Sequence, residues 1–205
     1  MISCIIPAAG LSSRMKVSSR MKVSSRMNEW KIMLPYQGRP IIDLVLETAL
    51  SAADKVIMVI GHRSEDLRKH FAGNPDITFI ENTNYTRGMF SSIRAGVAGL
   101  ENELFFILHA DLPLIKKSHI TPLLDYFTMQ QENSIEIVQP LYGIVPGHPV
   151  IFSGSVKETL LSSKDSDTMR DVFKAHAVSY FPTDDPAYIT DIDTMESYHS
   201  LINGS

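Results

Sequence analysis

The sequence predicts an α/β protein with a mostly parallel central sheet and helices on both of its faces. Three observations lead there. Short runs rich in Val, Ile and Phe alternate with stretches whose apolar residues recur at helical spacing. The connections are short, and such alternation needs crossover helices over a parallel sheet. A length of 205 residues, 44% hydrophobic and 20% charged, suits one domain over residues 1–205 with a sizeable core.

Residues 2–6 read as the first strand, closed by Pro7. Pro40 opens a helix over 41–53, because its missing N–H has no partner in a first helical turn; Ile41, Leu44, Val45, Ala49 and Leu50 form its stripe. A second strand spans 55–61, and a charged helix spans 64–71 with Ser64 as N-cap. Residues 77–80 form a third strand, 89–100 a helix rich in small residues, and 104–108 a fourth strand ending at Ala110 and Asp111. A helix over 120–131 follows, then strands over 135–140, 149–152 and 178–181, and a last helix over 194–202.

The composition narrows the function. Nineteen basic residues against twenty-three acidic give a net charge of −4, so no basic surplus serves non-specific nucleic-acid binding. The single cysteine, Cys4, excludes an intramolecular disulfide framework and reads as a small buried hydrophobe. The longest apolar runs, 56–60 and 104–108, are too short to span a bilayer. The first residues lack the basic region of a secretion signal, so a cytoplasmic protein without membrane contact is expected.

In doubly wound sheets, ligands bind beyond the carboxyl ends of the strands. Residues 7–14, 61–62, 82–88 and Asp111 all fall at such ends. The first segment, Pro7-Ala8-Ala9-Gly10-Leu11-Ser12-Ser13-Arg14, is a small-residue turn whose backbone N–H groups can cradle phosphate, with Arg14 able to add a bidentate contact. It matches neither the Walker loop nor the dinucleotide fingerprint. In the second, Gly88 and Ser91 sit at a helix start, where free N–H groups favour anions. In the third, Asp111-Leu112-Pro113, a carboxylate at a strand end can hold Mg²⁺ against substrate phosphates. Each has a plain reading: a turn, a capped helix, a turn carboxylate. His62 and His109, also at strand ends, read as ordinary packing or solvation.

Together these segments resemble the molybdenum-cofactor nucleotidyltransferases, most closely the molybdopterin cytidylyltransferase type. The shared features are Ala8-Ala9-Gly10, Ser12, Arg14, Met15 and, after an insertion, Lys31. They continue with Asn82, Gly88-Met89, Ser91 and Gly96, then Asp111-Leu112-Pro113, Gly147-His148-Pro149 and Asp191-Ile192-Asp193-Thr194. The order holds along nearly the whole chain. Two places depart: where the family often carries Gly-Asp-x-Gly-Ala-Arg, residues 165–170 keep only Arg170, and the glycine expected after Arg-Met is replaced by Lys16 or, after the repeats, by Asn28.

The resemblance implies a three-layer Rossmann-like nucleotidyltransferase fold and transfer of a nucleotidyl group from an NTP to a terminal phosphate, releasing pyrophosphate. It implies that the backbone of Ala8, Ala9 and Gly10 faces the nucleotide, helped by Asn82, Gly88 and Ser91. Arg14 and Lys31 neutralise the triphosphate. Asp111 holds Mg²⁺ with Asp191 or Asp193, Asp191 being preferred because Asp193-Thr194 reads as a helix cap. Gly147, His148 and Pro149 meet a phosphorylated, pterin-type acceptor, and a molybdoenzyme partner follows. The guanylyl branch tends to show Gly-Gly where this chain has Ala9-Gly10, and a methyl there narrows the room beside the base, favouring CTP. GTP, another phosphorylated acceptor, or a non-catalytic accessory role are the competing readings.

The insertion is a tandem repeat. Ser-Ser-Arg-Met-Lys-Val occurs at 12–17 and again at 18–23, with a partial copy at 24–27. Removing two copies restores the family's spacing from the glycine turn to Lys31. A longer loop adds only about 0.6 kcal/mol of closure entropy per doubling, so the fold should tolerate the insertion and its deletion.

Overall fold

The computed structural model describes residues 1–10, 30–101 and 104–203. The repeat over 12–27 and Arg14 lie outside the described residues. The strands are β1 (Ile2–Pro7), β2 (Pro35–Tyr36), β3 (Arg39–Pro40), β4 (Lys55–Ile60), β5 (Ile77–Glu81), β6 (Leu104–Ile107), β7 (Ile137–Tyr142), β8 (Val145–Pro146), β9 (Val150–Phe152) and β10 (Val178–Thr183). The helices are α1 (Ile41–Ala52), α2 (Ser64–His70), α3 (Met89–Ala98), α4 (Lys117–Gln130), α5 (Val156–Ser162), α6 (Met169–Ala175) and α7 (Met195–Asn203). The main sheet runs β10-β7-β9-β6-β1-β4-β5, with β8 paired to β7, and β2 and β3 form a separate hairpin. Its pairs are parallel except where β9 runs against β6 and β7, and where β8 turns back on β7. The expected mostly parallel sheet is therefore present, with one reversed inner strand.

Side-chain alternation explains the layers. On β1, Cys4 and Ile6 enter one core while Ile5 enters the other. On β4, Val56, Met58 and Ile60 oppose Ile57 and Val59; on β6, Phe106 opposes Phe105 and Ile107. Strands buried on both faces need apolar residues at every position, which is why these segments read as continuous apolar runs. The first core is covered by α1, α2, α4 and α7, the second by α3, α5 and α6. Cys4 is fully buried, as a small hydrophobe should be, and burial pushes its thiol well above the ordinary range.

Three local expectations are corrected. Arg63, in left-handed backbone at φ 55°, holds the cap position of α2, and Ser64 is its first helical residue. Helix α4 starts at Lys117, ahead of Ile120, and carries Pro122 inside it. Helices α5 and α6 occupy a stretch the sequence reading left without elements.

Candidate active site

The turn after β1 continues the β1–β4 pairing beyond both strands. Ala8 donates its N–H to Val59 O at 2.8 Å, and Ala9 O accepts from His62 N at 3.2 Å. Ala8 therefore has no backbone donor to spare for phosphate, which corrects the reading of all three residues as a phosphate cradle. Gly10 is exposed, and a Cβ built on it meets nothing within 4 Å among the described residues. Ala9 is 1% exposed and packs against Tyr85 and Gly61. Its methyl is thus turned into protein packing, which corrects the idea that it narrows an open base pocket.

The second segment ties β5 to α3. Asn82 is buried; its N–H donates to Ile60 O, its Nδ2 donates to Ser91 Oγ at 2.9 Å and Ser92 Oγ at 3.0 Å, and its Oδ1 accepts from Asn84 N. Ser91 Oγ in turn donates towards Gly88 O at 2.8 Å. Gly88 adopts φ 97°, a conformation that favours glycine, and so aims the start of α3. Asn82 and Ser91 are engaged with protein atoms and position the helix start, and both line a cleft shared with Asn84, Arg87 and Arg94.

Lys31 and two aspartates form the chemical centre. Lys31 begins a 3-10 turn over Lys31–Met33 and is only 8% exposed. Its Nζ lies 2.5 Å from Asp111 Oδ2 and 2.5 Å from Asp193 Oδ1. Burial works to lower its pKa, but Asp111 and Asp193 together outweigh burial and raise it, so the ammonium stays charged. Beside it, Trp30 is buried with the Arg63 guanidinium 4.8 Å above its ring centroid. Asp111 follows β6, and its carbonyl accepts from Ile192 N at 3.2 Å, which fixes the segment carrying Asp193 against it. Buried Asp111 Oδ1 has no hydrogen-bond partner among the described residues. Asp191 is exposed, and Asp193 is the late aspartate that meets Lys31. The cap expected at Asp193-Thr194 is present: Thr194 caps α7 through Ser197, with Ser197 N donating to Thr194 Oγ1 at 3.1 Å.

Next to this centre lies a cavity of about 560 Å³ between β6, β7, β9, α3 and α6. Its floor is apolar, with Ile93, Ile107, Val150 and Phe152, and Arg170 and Lys174 stand on its α6 side. The His109 and His148 rings line it with centroids 3.9 Å apart. His109 was expected to pack or be solvated; it packs, on the wall of this cavity. Of the Gly147-His148-Pro149 motif only His148 lines the cavity. Gly147 acts through backbone approach: a Cβ there would stand 2.5 Å from Tyr188 O, and His148 N donates to that same carbonyl at 2.8 Å. Gly147→Ala is expected to cost about 1–3 kcal/mol through this overlap. An unchanged urea midpoint for the variant would contradict it.

Burial first, then the Lys31 ammonium, lowers the His109 pKa to about 4, against the raising pull of Asp193. Burial, then His109, lowers His148 to about 3, against Asp111. The unfolded chain binds these protons near pH 6.5 and the folded protein does not, so stability falls as pH drops from about 6.5 towards 4. Urea midpoints at pH 7 and pH 4.5 should show this loss, and His109→Phe should lessen it. An equal loss in both proteins would show that the acid sensitivity lies elsewhere.

Solved structures share this architecture. A nucleotidyl transferase from Methanothermobacter aligns over 100% of this chain and 97% of its own, with TM-score 0.77 and 18% identity. A Mycobacterium tuberculosis H37Rv protein, solved as a complex with manganese, aligns over 100% and 99% with TM-score 0.71 and 21% identity. At these identities the likeness is one of fold, and the fold is that of nucleotidyltransferases. The chain belongs to the family of the MobA-like NTP transferase domain, whose model matches residues 4–179. Among characterised relatives, the molybdenum cofactor cytidylyltransferase of Escherichia coli K12 is 29% identical over 197 residues, 96% of this chain and 93% of that protein. The bifunctional protein GlmU of Pelobacter propionicus is 33% identical over 132 residues, 63% of this chain and 26% of that protein. No helix among the described residues is long and apolar enough to cross a membrane.

Proposed function

We propose that this nucleotidyltransferase is a Mg²⁺-dependent cytidylyltransferase that joins CMP to the terminal phosphate of a pterin-type molybdenum cofactor. The observation that carries the reading is the Lys31–Asp111–Asp193 cluster beside a largely apolar cavity. The choice of acceptor and of CTP leans on the relative from Escherichia coli, which aligns almost end to end.

The residues present fit a divalent cation. Asp111 and Asp193 converge, and buried Asp111 Oδ1 lacks a partner. Among the described residues no group of three or more His, Cys, Asp or Glu side chains is assembled for a metal. A pair of carboxylates is enough for Mg²⁺, which takes one or two and completes its shell with phosphates and water. Asp111 and Asp193 would hold it, and when bound it supplies charge neutralisation at the triphosphate.

The protein's own share is positioning. The backbone at Gly10 meets the nucleotide, and Lys31 with Arg14 takes the charge of the leaving pyrophosphate. The cavity holds the acceptor with its phosphate at the His148 end, near Asp111. An acceptor phosphate oxygen attacks the α-phosphorus of CTP. The new P–O–P bond forms as the α–β bond breaks, and its electron pair leaves with pyrophosphate. The apolar floor and the two adjoining imidazoles keep competing water out.

Pyrophosphate release with the acceptor and Mg²⁺, measured for each NTP in turn, tests the reading. Release with CTP alone is expected. GTP preference would move the chain to guanylyl transfer, activity only with a different phosphorylated acceptor would replace the pterin, and no release with any NTP would favour an accessory protein.

A further inference from the structure

We propose that Lys31 is the resident cation of the carboxylate pair: it holds Asp111 and Asp193 together until a triphosphate draws the ammonium away and opens the same oxygens to a divalent metal. This rests on the reading of Asp111 and Asp193 as the metal-holding carboxylates.

The argument begins with occupancy. The Lys31 ammonium lies 2.5 Å from one oxygen of each aspartate, so it sits between the two groups a metal would need. Two cations cannot share that space, and their mutual repulsion in a site so little exposed would be large. The ammonium also serves the pair imperfectly. It engages Asp111 Oδ2 and leaves buried Asp111 Oδ1 without a hydrogen bond. A buried acceptor without a partner costs about 1–3 kcal/mol, so the arrangement is stable enough to persist and incomplete enough to be replaced.

The residue type suits the exchange. Lysine carries a compact charge on a flexible four-carbon stem with three donors, so it can leave one set of oxygens for another. A bound triphosphate offers more negative charge than two carboxylates and lies against the same strand ends. Once Lys31 turns to the phosphates, Asp111 and Asp193 lose the charge that Lys31 supplied, and their affinity for a divalent cation rises. Nucleotide and metal then bind cooperatively, and by linkage each strengthens the other by the same factor. The free protein is left with weak affinity for metal alone.

Manganese is the probe, followed by the loss of the free Mn²⁺ EPR signal on titration into the nucleotide-free full chain. Lys31→Ala should bind Mn²⁺ on the order of tenfold more tightly than the unaltered protein, within the ordinary range of coupling between two ligands. Lys31→Gln, which keeps more of the side-chain volume, should move the same way. Arg63→Ala, which removes a positive charge that lies over Trp30, should shift the affinity much less. Where Lys31→Ala is destabilised by the loss of its two ion pairs, Mn²⁺ should raise its Tm more than it raises that of the unaltered protein. Equal or weaker Mn²⁺ binding by both Lys31 variants overturns the proposal. If Asp111→Asn abolishes Mn²⁺ binding while the Lys31 variants leave it unchanged, only the resident-cation role fails. If Asp111→Asn leaves Mn²⁺ binding unaltered, the metal reading of the carboxylates fails with it.

Discussion

Asp111→Ala is expected to lower nucleotidyl transfer by roughly three decades while the protein stays folded. The carboxylate stands where a divalent cation would meet the triphosphate, and its Oδ1 has no other partner among the described residues. The fold should survive because the contact that docks the late segment, Ile192 N to Asp111 O, belongs to the backbone. Lys31 also keeps Asp193, so no buried charge is stranded. Stability should fall slightly, because Asp111 is neutralised by Lys31 and the variant loses an attractive pair. Pyrophosphate release and Tm measured side by side check both statements. Near-normal turnover by a folded variant would remove Asp111 from the chemistry.

Lys31→Ala should cost roughly two decades in kcat/KM for CTP, the usual scale for losing one charged contact to a developing anion. Lys31→Arg should not restore it. A planar guanidinium is wider and more rigid than an ammonium and does not fit between two carboxylates that a lysine bridges at 2.5 Å to each. Steady-state kinetics of both variants decide the point, and full activity of Lys31→Arg would mean that any local positive charge suffices. The loss of activity in Lys31→Ala should accompany tighter Mn²⁺ binding, a pairing that simple unfolding cannot produce.

Much of this was legible in the sequence because strands buried on both faces write themselves as unbroken apolar runs. Val56–Ile60 and the Phe-rich β6 could be read this way, and with them the strand ends where chemistry gathers. The reversed strand β9 was not legible, since three buried residues carry no sign of their direction. Helix α6 does carry sequence signals: Thr168 and Asp171 form a capping box, and Met169, Val172 and Phe173 recur at helical spacing. At the site, residue types pointed to the right neighbourhood, but partners were beyond reach. Nothing in the sequence tells that Asn82 is consumed by Ser91 and Ser92, or that Asp193, and not Asp191, meets a lysine 162 residues earlier. Such assignments depend on which way a side chain turns at the end of a strand, which tertiary contacts decide.

Phosphorus NMR of the reaction product tests the central claim most directly. With CTP, Mg²⁺ and the phosphorylated pterin acceptor, the acceptor's phosphomonoester signal should vanish. A coupled pair of diphosphate-diester signals should replace it, in step with free pyrophosphate. Appearance of CMP with the acceptor monoester intact would mean that water, and not the acceptor, receives the nucleotidyl group, and would contradict the account.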